Sequence, residues 1–158
     1  MAVNLQPTYT TTQPIALPGM PATEHGWDAD TYIVDKNAVA KIGFGIAVQA
    51  LTPATLANTV VIGAASDAVF LGVTYRDITQ PPRSPEGYAA GENIAVMTRG
   101  DIWVTVGGVG AINPGAAVKV IAATGVFDAA GTITITGAQW MRGAAAGGLA
   151  LLRLNRPI

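Results

Sequence analysis

The only histidine of this chain, His25, sits in Glu24-His25-Gly26-Trp27-Asp28. An imidazole flanked by two carboxylates is the one place where a metal ligand set or an acid–base pair can be imagined. No strand or helix signal surrounds it, so nothing would hold the three groups in a fixed geometry, and an ordinary surface histidine is the better reading. The two serines, Ser66 and Ser84, stand in no G-x-S-x-G elbow. With the sole histidine near the N-terminus, a Ser-His-Asp triad finds no support. Carboxylate pairs such as Asp77 with Glu86 or Glu92 with Asp101 would serve glycoside chemistry only if strand pairing brought them within about 5–10 Å, and aromatic platforms for a sugar are few. Gly43-Phe44-Gly45 lacks the third glycine of a dinucleotide loop, and Gly107-Gly108-Val109-Gly110 leads to Asn113-Pro114-Gly115 and not to a helix. Arg99-Gly100-Asp101 spells an adhesion tripeptide, but a hairpin reversal with Gly100 supplying the backbone freedom explains it equally well and is preferred. Cysteine is absent, which excludes disulfides and thiolate metal sites. The sequence therefore predicts no catalytic residue, no cofactor and no metal: a protein that is not an enzyme.

The elements that would have to position any site are strands. Ile94, Val96 and Thr98 alternate with Ala95, Met97 and Arg99, and Ile102, Val104 and Val106 alternate with Trp103 and Thr105. That is the period of half-buried strands. Similar signals fall at 42–48, 59–62, 70–75, 118–121, 126–127, 132–136, 138–142 and 149–154, separated by Gly and Pro. Only 52–58, with Thr52 as cap and Pro53 at the first helical position, hints at a helix of one or two turns. The spacing predicts an all-β fold, a small β-barrel or sandwich, with an extended Pro/Thr-rich N-terminal arm. The arm covers residues 1–31 and the β-rich domain residues 32–158. The long loop 76–91, with Pro81, Pro82 and Pro85, is a candidate interaction surface.

Composition narrows the partners. Charged residues make up 12% of the 158 residues, about half the usual share, and mean hydropathy is positive. Part of such a surface is expected to be covered. The net charge is −1 with no basic run, which argues against nucleic acid. No secretory signal and no apolar stretch long enough for a membrane are visible. Pro7, Pro14, Pro18 and Pro21 keep the arm extended. Tyr9, Ile15, Leu17, Met20 and Trp27 are apolar anchors that a purely solvating tail rarely carries, so the arm is expected to dock on a neighbour.

Val39-Ala-Lys-Ile-Gly-Phe-Gly45, Phe70-Leu-Gly-Val-Thr-Tyr75, Gly91 to Val104, Asn113-Pro-Gly-Ala-Ala-Val118 and Gly137-Ala-Gln-Trp140, in this order, resemble the capsid cement, or head decoration, proteins of tailed bacteriophages. The resemblance covers roughly residues 37–155. It implies a non-enzymatic virion protein on the outer surface of the capsid that bridges major capsid proteins and stabilises their lattice. It carries over no catalytic residue. The expected partners are the major capsid protein and the chain itself as a homo-oligomer, with a trimer favoured over a dimer. Trp103 and Trp140 would be buried by such closure or by the monomer's own core. Two rivals remain: a tail or fibre module, which should show fibre-like repeats, and a β-barrel hydrolase or carbohydrate-binding domain, which should cluster carboxylates and aromatics.

Overall fold

The computed structural model describes residues 15–22, 26–51, 58–77 and 86–155. Its elements are strands: β1 (Asp28–Val34), β2 (Ala47–Ala50), β3 (Thr59–Ile62), β4 (Phe70–Thr74), β5 (Asn93–Thr105), β6 (Lys119–Val120), β7 (Ile133–Thr134), β8 (Ala138–Arg142) and β9 (Leu149–Asn155). The fold is all-β, and of the two architectures expected it builds the barrel. β1, β3, β2, β4 and β5 are neighbours in that order, and β1 returns to pair with β5. The β1–β3 pairing is parallel and the others antiparallel, so the five-stranded barrel is mixed. From β5 the sheet continues through β9 to β8, while β6 and β7 form a separate antiparallel pair. The helical hint at 52–57 lies outside the described residues.

Two cores explain the burial pattern. Val34, Val48, Val60, Ile94 and Val96, with Ile42 and Tyr88 from the connections, form one cluster. Ala47 and Met97, next in sequence to Val48 and Val96, join a second cluster with Val73, Ile102, Val104, Phe127, Trp140, Leu152 and Leu154. Successive side chains of a strand point to opposite faces. β2 and β5 are thus covered on both sides, which is why Val96-Met97-Thr98 is buried without a break. Trp140 is a core residue, set edge-to-face against Phe127 at 5.9 Å.

The hairpin reversal expected at Gly100-Asp101 does not occur. β5 runs unbroken for 13 residues through both. Arg99, Gly100 and Asp101 stand opposite Asn155, Leu154 and Arg153 of β9. Asp28 of β1 also stands opposite Arg99, so β1 and β9 flank β5 on opposite edges. Two contacts make a turn unnecessary. Arg153 donates from Nε and Nη2 to the two Asp101 carboxylate oxygens at 2.7 and 2.8 Å, tying β5 to β9. A Cβ on Gly100 would lie 2.5 Å from the Cβ of Trp27, and φ there is +118°; the glycine lets another segment cross closely rather than letting the chain reverse. Between Asp28 and Ala29 the register slips from Arg99 to Met97, leaving Thr98 as the extra residue of a β-bulge. The bulge shifts the alternation. Ile94 and Val96 serve the first cluster, whereas Ile102 and Val104 serve the second.

β1 begins at Asp28, inside the span that composition assigns to the arm. Its first four residues, Asp28 to Thr31, are all exposed, so periodicity gives no sign of it, and only its partners β3 and β5 make it a strand.

Candidate functional site

A Pro-Gly pair, Pro18-Gly19, marks a turn in the N-terminal stretch. Gly19 has φ +79°. A Cβ there would fall 2.8 Å from the Phe44 Cβ and 3.0 Å from the Arg76 amide nitrogen, so only glycine lets the strap settle into this notch. The Gly19 N–H donates to the Trp103 carbonyl at 2.7 Å, the Trp103 N–H to the Met20 carbonyl at 2.9 Å, and the Ala22 N–H to the Asp101 carbonyl at 2.8 Å. Pro21, which has no N–H to offer, bridges Ile102. Residues 19–22 therefore lie antiparallel along the C-terminal half of β5, on the edge that β1 occupies further along. This edge would otherwise present unpaired backbone groups.

Arg76 clasps the strap from the other side. Its backbone N–H donates to the Gly19 carbonyl at 2.8 Å and its Nε to the Pro18 carbonyl at 3.1 Å. Its guanidinium lies 4.3 Å from the Phe44 ring centre and pairs with Glu86 at 2.7 Å. The hydrogen bond from Arg76, followed by its positive charge, holds the Glu86 carboxyl below its usual range. Nearby, the Tyr88 hydroxyl donates to the Tyr75 carbonyl at 2.7 Å, and burial pushes that phenol up.

The five arm anchors expected from sequence separate into three groups. Tyr9 lies outside the described residues. Trp27 and Met20 are half-buried; Trp27 stacks on Tyr75 at 5.3 Å and packs against the protein's own larger core. Ile15 and Leu17 are 85% and 43% exposed, while Ala16 between them is buried. The strap thus turns two large aliphatic side chains outward and is itself fastened inward. Gly19 and Arg76 do the fastening and were not singled out by sequence; the Pro18-Gly19 turn signal was the available clue.

His25 and Ser84 lie outside the described residues, and Ser66 is exposed. Glu92 accepts from the Ala89 N–H at 2.8 Å, whereas Asp101 is held by Arg153. Nine residues of extended chain separate these two acids, roughly 30 Å. Asp101 is only 5% exposed and both its oxygens are occupied, which removes the adhesion reading of Arg99-Gly100-Asp101. No group of three or more His, Asp or Glu side chains among the described residues could hold a metal.

A family model described as structural cement protein (E217 gp24/Pam3 gp6) matches residues 5–155. Among solved structures, a chain from the capsid of Myoviridae phage XM1 superposes with a TM-score of 0.71 at 15% identity, covering 99% of this chain and 100% of that one. At that identity the likeness concerns the fold. No curated protein matches the sequence.

Proposed function

The chain belongs to the structural cement protein family of bacteriophages, and from that premise we propose how it holds a shell together. It is a structural, non-enzymatic component of the phage capsid. In our reading it sits on the outer surface of the shell, bridges neighbouring major capsid proteins, and does so as a symmetric oligomer, a trimer before a dimer. The low charge supports a partly covered surface. Many weak contacts repeated on a lattice add through effective concentration, so each copy need not bind tightly.

One observation carries this reading. Ile15 and Leu17 stand out from a strap whose backbone is fastened to β5 and Arg76. Exposed aliphatics on a fastened segment dock at a lower ordering cost than the same side chains on a free tail. Tyr9 would extend the contact onto the neighbour.

Changing both Ile15→Asp and Leu17→Asp tests this. Full burial of a large aliphatic side chain contributes ~1.5–3 kcal/mol, so the pair should weaken binding to bare shells by at least about a hundredfold. Circular dichroism and the unfolding midpoint should not move. Undiminished shell occupancy by the double variant would remove the strap from the contact. A single monomeric species in light scattering across a concentration series would remove the oligomer.

A further inference from the structure

Trp103 is a large aromatic that neither core cluster absorbs. Along β5, Ile102 and Val104 are buried while Trp103 and Thr105 are not; along β9, Ala150 and Leu152 are buried while Leu149 and Leu151 are not. Trp103 stands opposite Leu151, and Leu151 opposite Arg142 of β8. The three form a row across the outer face of these strands. The Arg142 guanidinium lies 6.0 Å from the Trp103 ring centre. Among the described residues one other cation is set over a ring, Arg76 over Phe44, and there Glu86 completes the group as its carboxylate. Arg99 and Arg153 have Asp28 and Asp101. Arg142 is exposed and has no such partner among the described residues. Asp30 on β1 is an exposed acid that makes no hydrogen bond or ion pair with a described residue. Its charge adds to burial in raising the Tyr32 phenol, so it too sits beside an aromatic ring, and the neighbouring Ile33 is 44% exposed.

Resting on the oligomer proposed above, we infer that the row Trp103, Leu151 and Arg142 of one copy docks on the Asp30–Ile33 stretch of a second copy, whose Asp30 supplies the carboxylate that Arg142 lacks. Within one copy the two charges stay apart. Asp30 stands opposite Val96, and Trp103 lies seven residues further along β5, roughly 23 Å away. Both halves of the complement are carried by this chain, which favours a second copy over the capsid lattice as the occupant. The apolar part of the contact, Trp103 and Leu151 against Tyr32 and Ile33, supplies the binding, with Trp103 as its anchor. The guanidinium–carboxylate pair is directional and fixes the register. A reciprocal two-fold pair and a closed ring of three each use both surfaces of every copy once.

The test follows self-association of the full-length protein by sedimentation across a concentration series. Arg142→Asp and Asp30→Arg each set like charges against one another and should weaken association about tenfold or more. Combining the two changes in one chain restores opposite charges, and the double variant should associate within about threefold of the native protein. Trp103→Ala should weaken association by about thirtyfold, the scale of an aromatic hot spot. Residues 30 and 142 are exposed, so far-UV circular dichroism of the charge variants should match the native spectrum. Native association by both single charge variants, or no recovery in the double variant, would overturn this pairing while leaving the oligomer intact. A native protein that stays monomeric at every concentration would overturn the oligomer itself.

Discussion

Residues 19–22 and β1 lie along the same edge of β5, both antiparallel to it, yet they are held differently. β1 is paired from Asp28 opposite Arg99 to Ile33 opposite Asn93, and on its other side it pairs with β3. It closes the barrel and contributes Val34 to the first core cluster. Residues 19–22 have β5 on one side and Arg76 at one end, and of residues 15–20 only Ala16 and Gly19 are buried. One segment is structural because it completes a closed sheet. The other covers an open edge and presents Ile15 and Leu17. What makes an extended stretch part of the fold is having partners on both of its edges, and this is not a property of its own composition.

A deletion series sharpens this difference most. Removing residues 1–34 takes away β1, opens the barrel and exposes the first core cluster; we expect no cooperative unfolding transition. Removing residues 1–22 should leave the barrel folded. The lost strap bonds contribute about 1 kcal/mol each, largely offset by the freedom the segment regains, so the midpoint should fall by only a few degrees while shell occupancy collapses. A cut at residue 31, the boundary that composition suggests, takes Trp27 off Tyr75 and removes the start of β1, and should fall between the two. Equal midpoints for all three truncations would break the distinction.

Two glycines divide the same comparison at single residues. Gly100→Val places a branched side chain at φ +118° against the Trp27 Cβ. It should cost about 2–4 kcal/mol through strain and overpacking where β5 passes from β1 to β9. Gly19→Val meets the Phe44 Cβ and the Arg76 amide. The strap can lift away there, so the loss should be nearer 1 kcal/mol, the scale of its few hydrogen bonds, and shell binding should suffer more than stability. Chemical denaturation alongside shell binding reads both; a larger stability loss at Gly19 than at Gly100 would reverse the assignment.

Much of the fold was legible where one strand carries its own signal. Residues 59–62 are a β-branched run that stops at Gly63, and 138–142 lies between Gly137 and Gly143; they are β3 and β8. The 42–48 run was legible only in part. Ile42 joins Tyr88 by an isolated bridge, Gly45 turns at φ +71°, and the strand proper starts at Ala47. β1 was hidden because its acids face solvent. The course of β5 was hidden because Gly100 answers a tryptophan more than seventy positions earlier. At the site, the apolar residues of the strap stood out against their prolines. Which of them point outward depends on β5 and on Arg76, far along the chain, and no local pattern reports that.

The smallest effect expected is an acid-sensitive loosening of the strap that β1 should not share. Arg76 holds the Pro18 carbonyl while it pairs with Glu86. Glu86 has its folded-state ionisation lowered from 4.5 by that pairing. Its contribution is therefore intact above about pH 4.5 and is lost as the pH falls through the lowered value, when the carboxyl takes up a proton. Glu86 is open to water, and exposed pairs contribute little, so the barrel should remain folded through this range as far as this pair is concerned. Amide hydrogen exchange at Gly19 and Arg76, whose N–H groups fasten the strap, gives the readout. Relative to Glu86→Gln, the native protein should exchange these amides more slowly at pH 6, by a few-fold at most, and at the same rate near pH 3. Amides of β1 such as Val34, bonded to the Glu92 carbonyl at 2.9 Å, should show no difference between the two proteins at either pH. A native-to-variant ratio that stays constant from pH 6 to pH 3 would mean that Arg76 holds the strap through Pro18 and Gly19 alone.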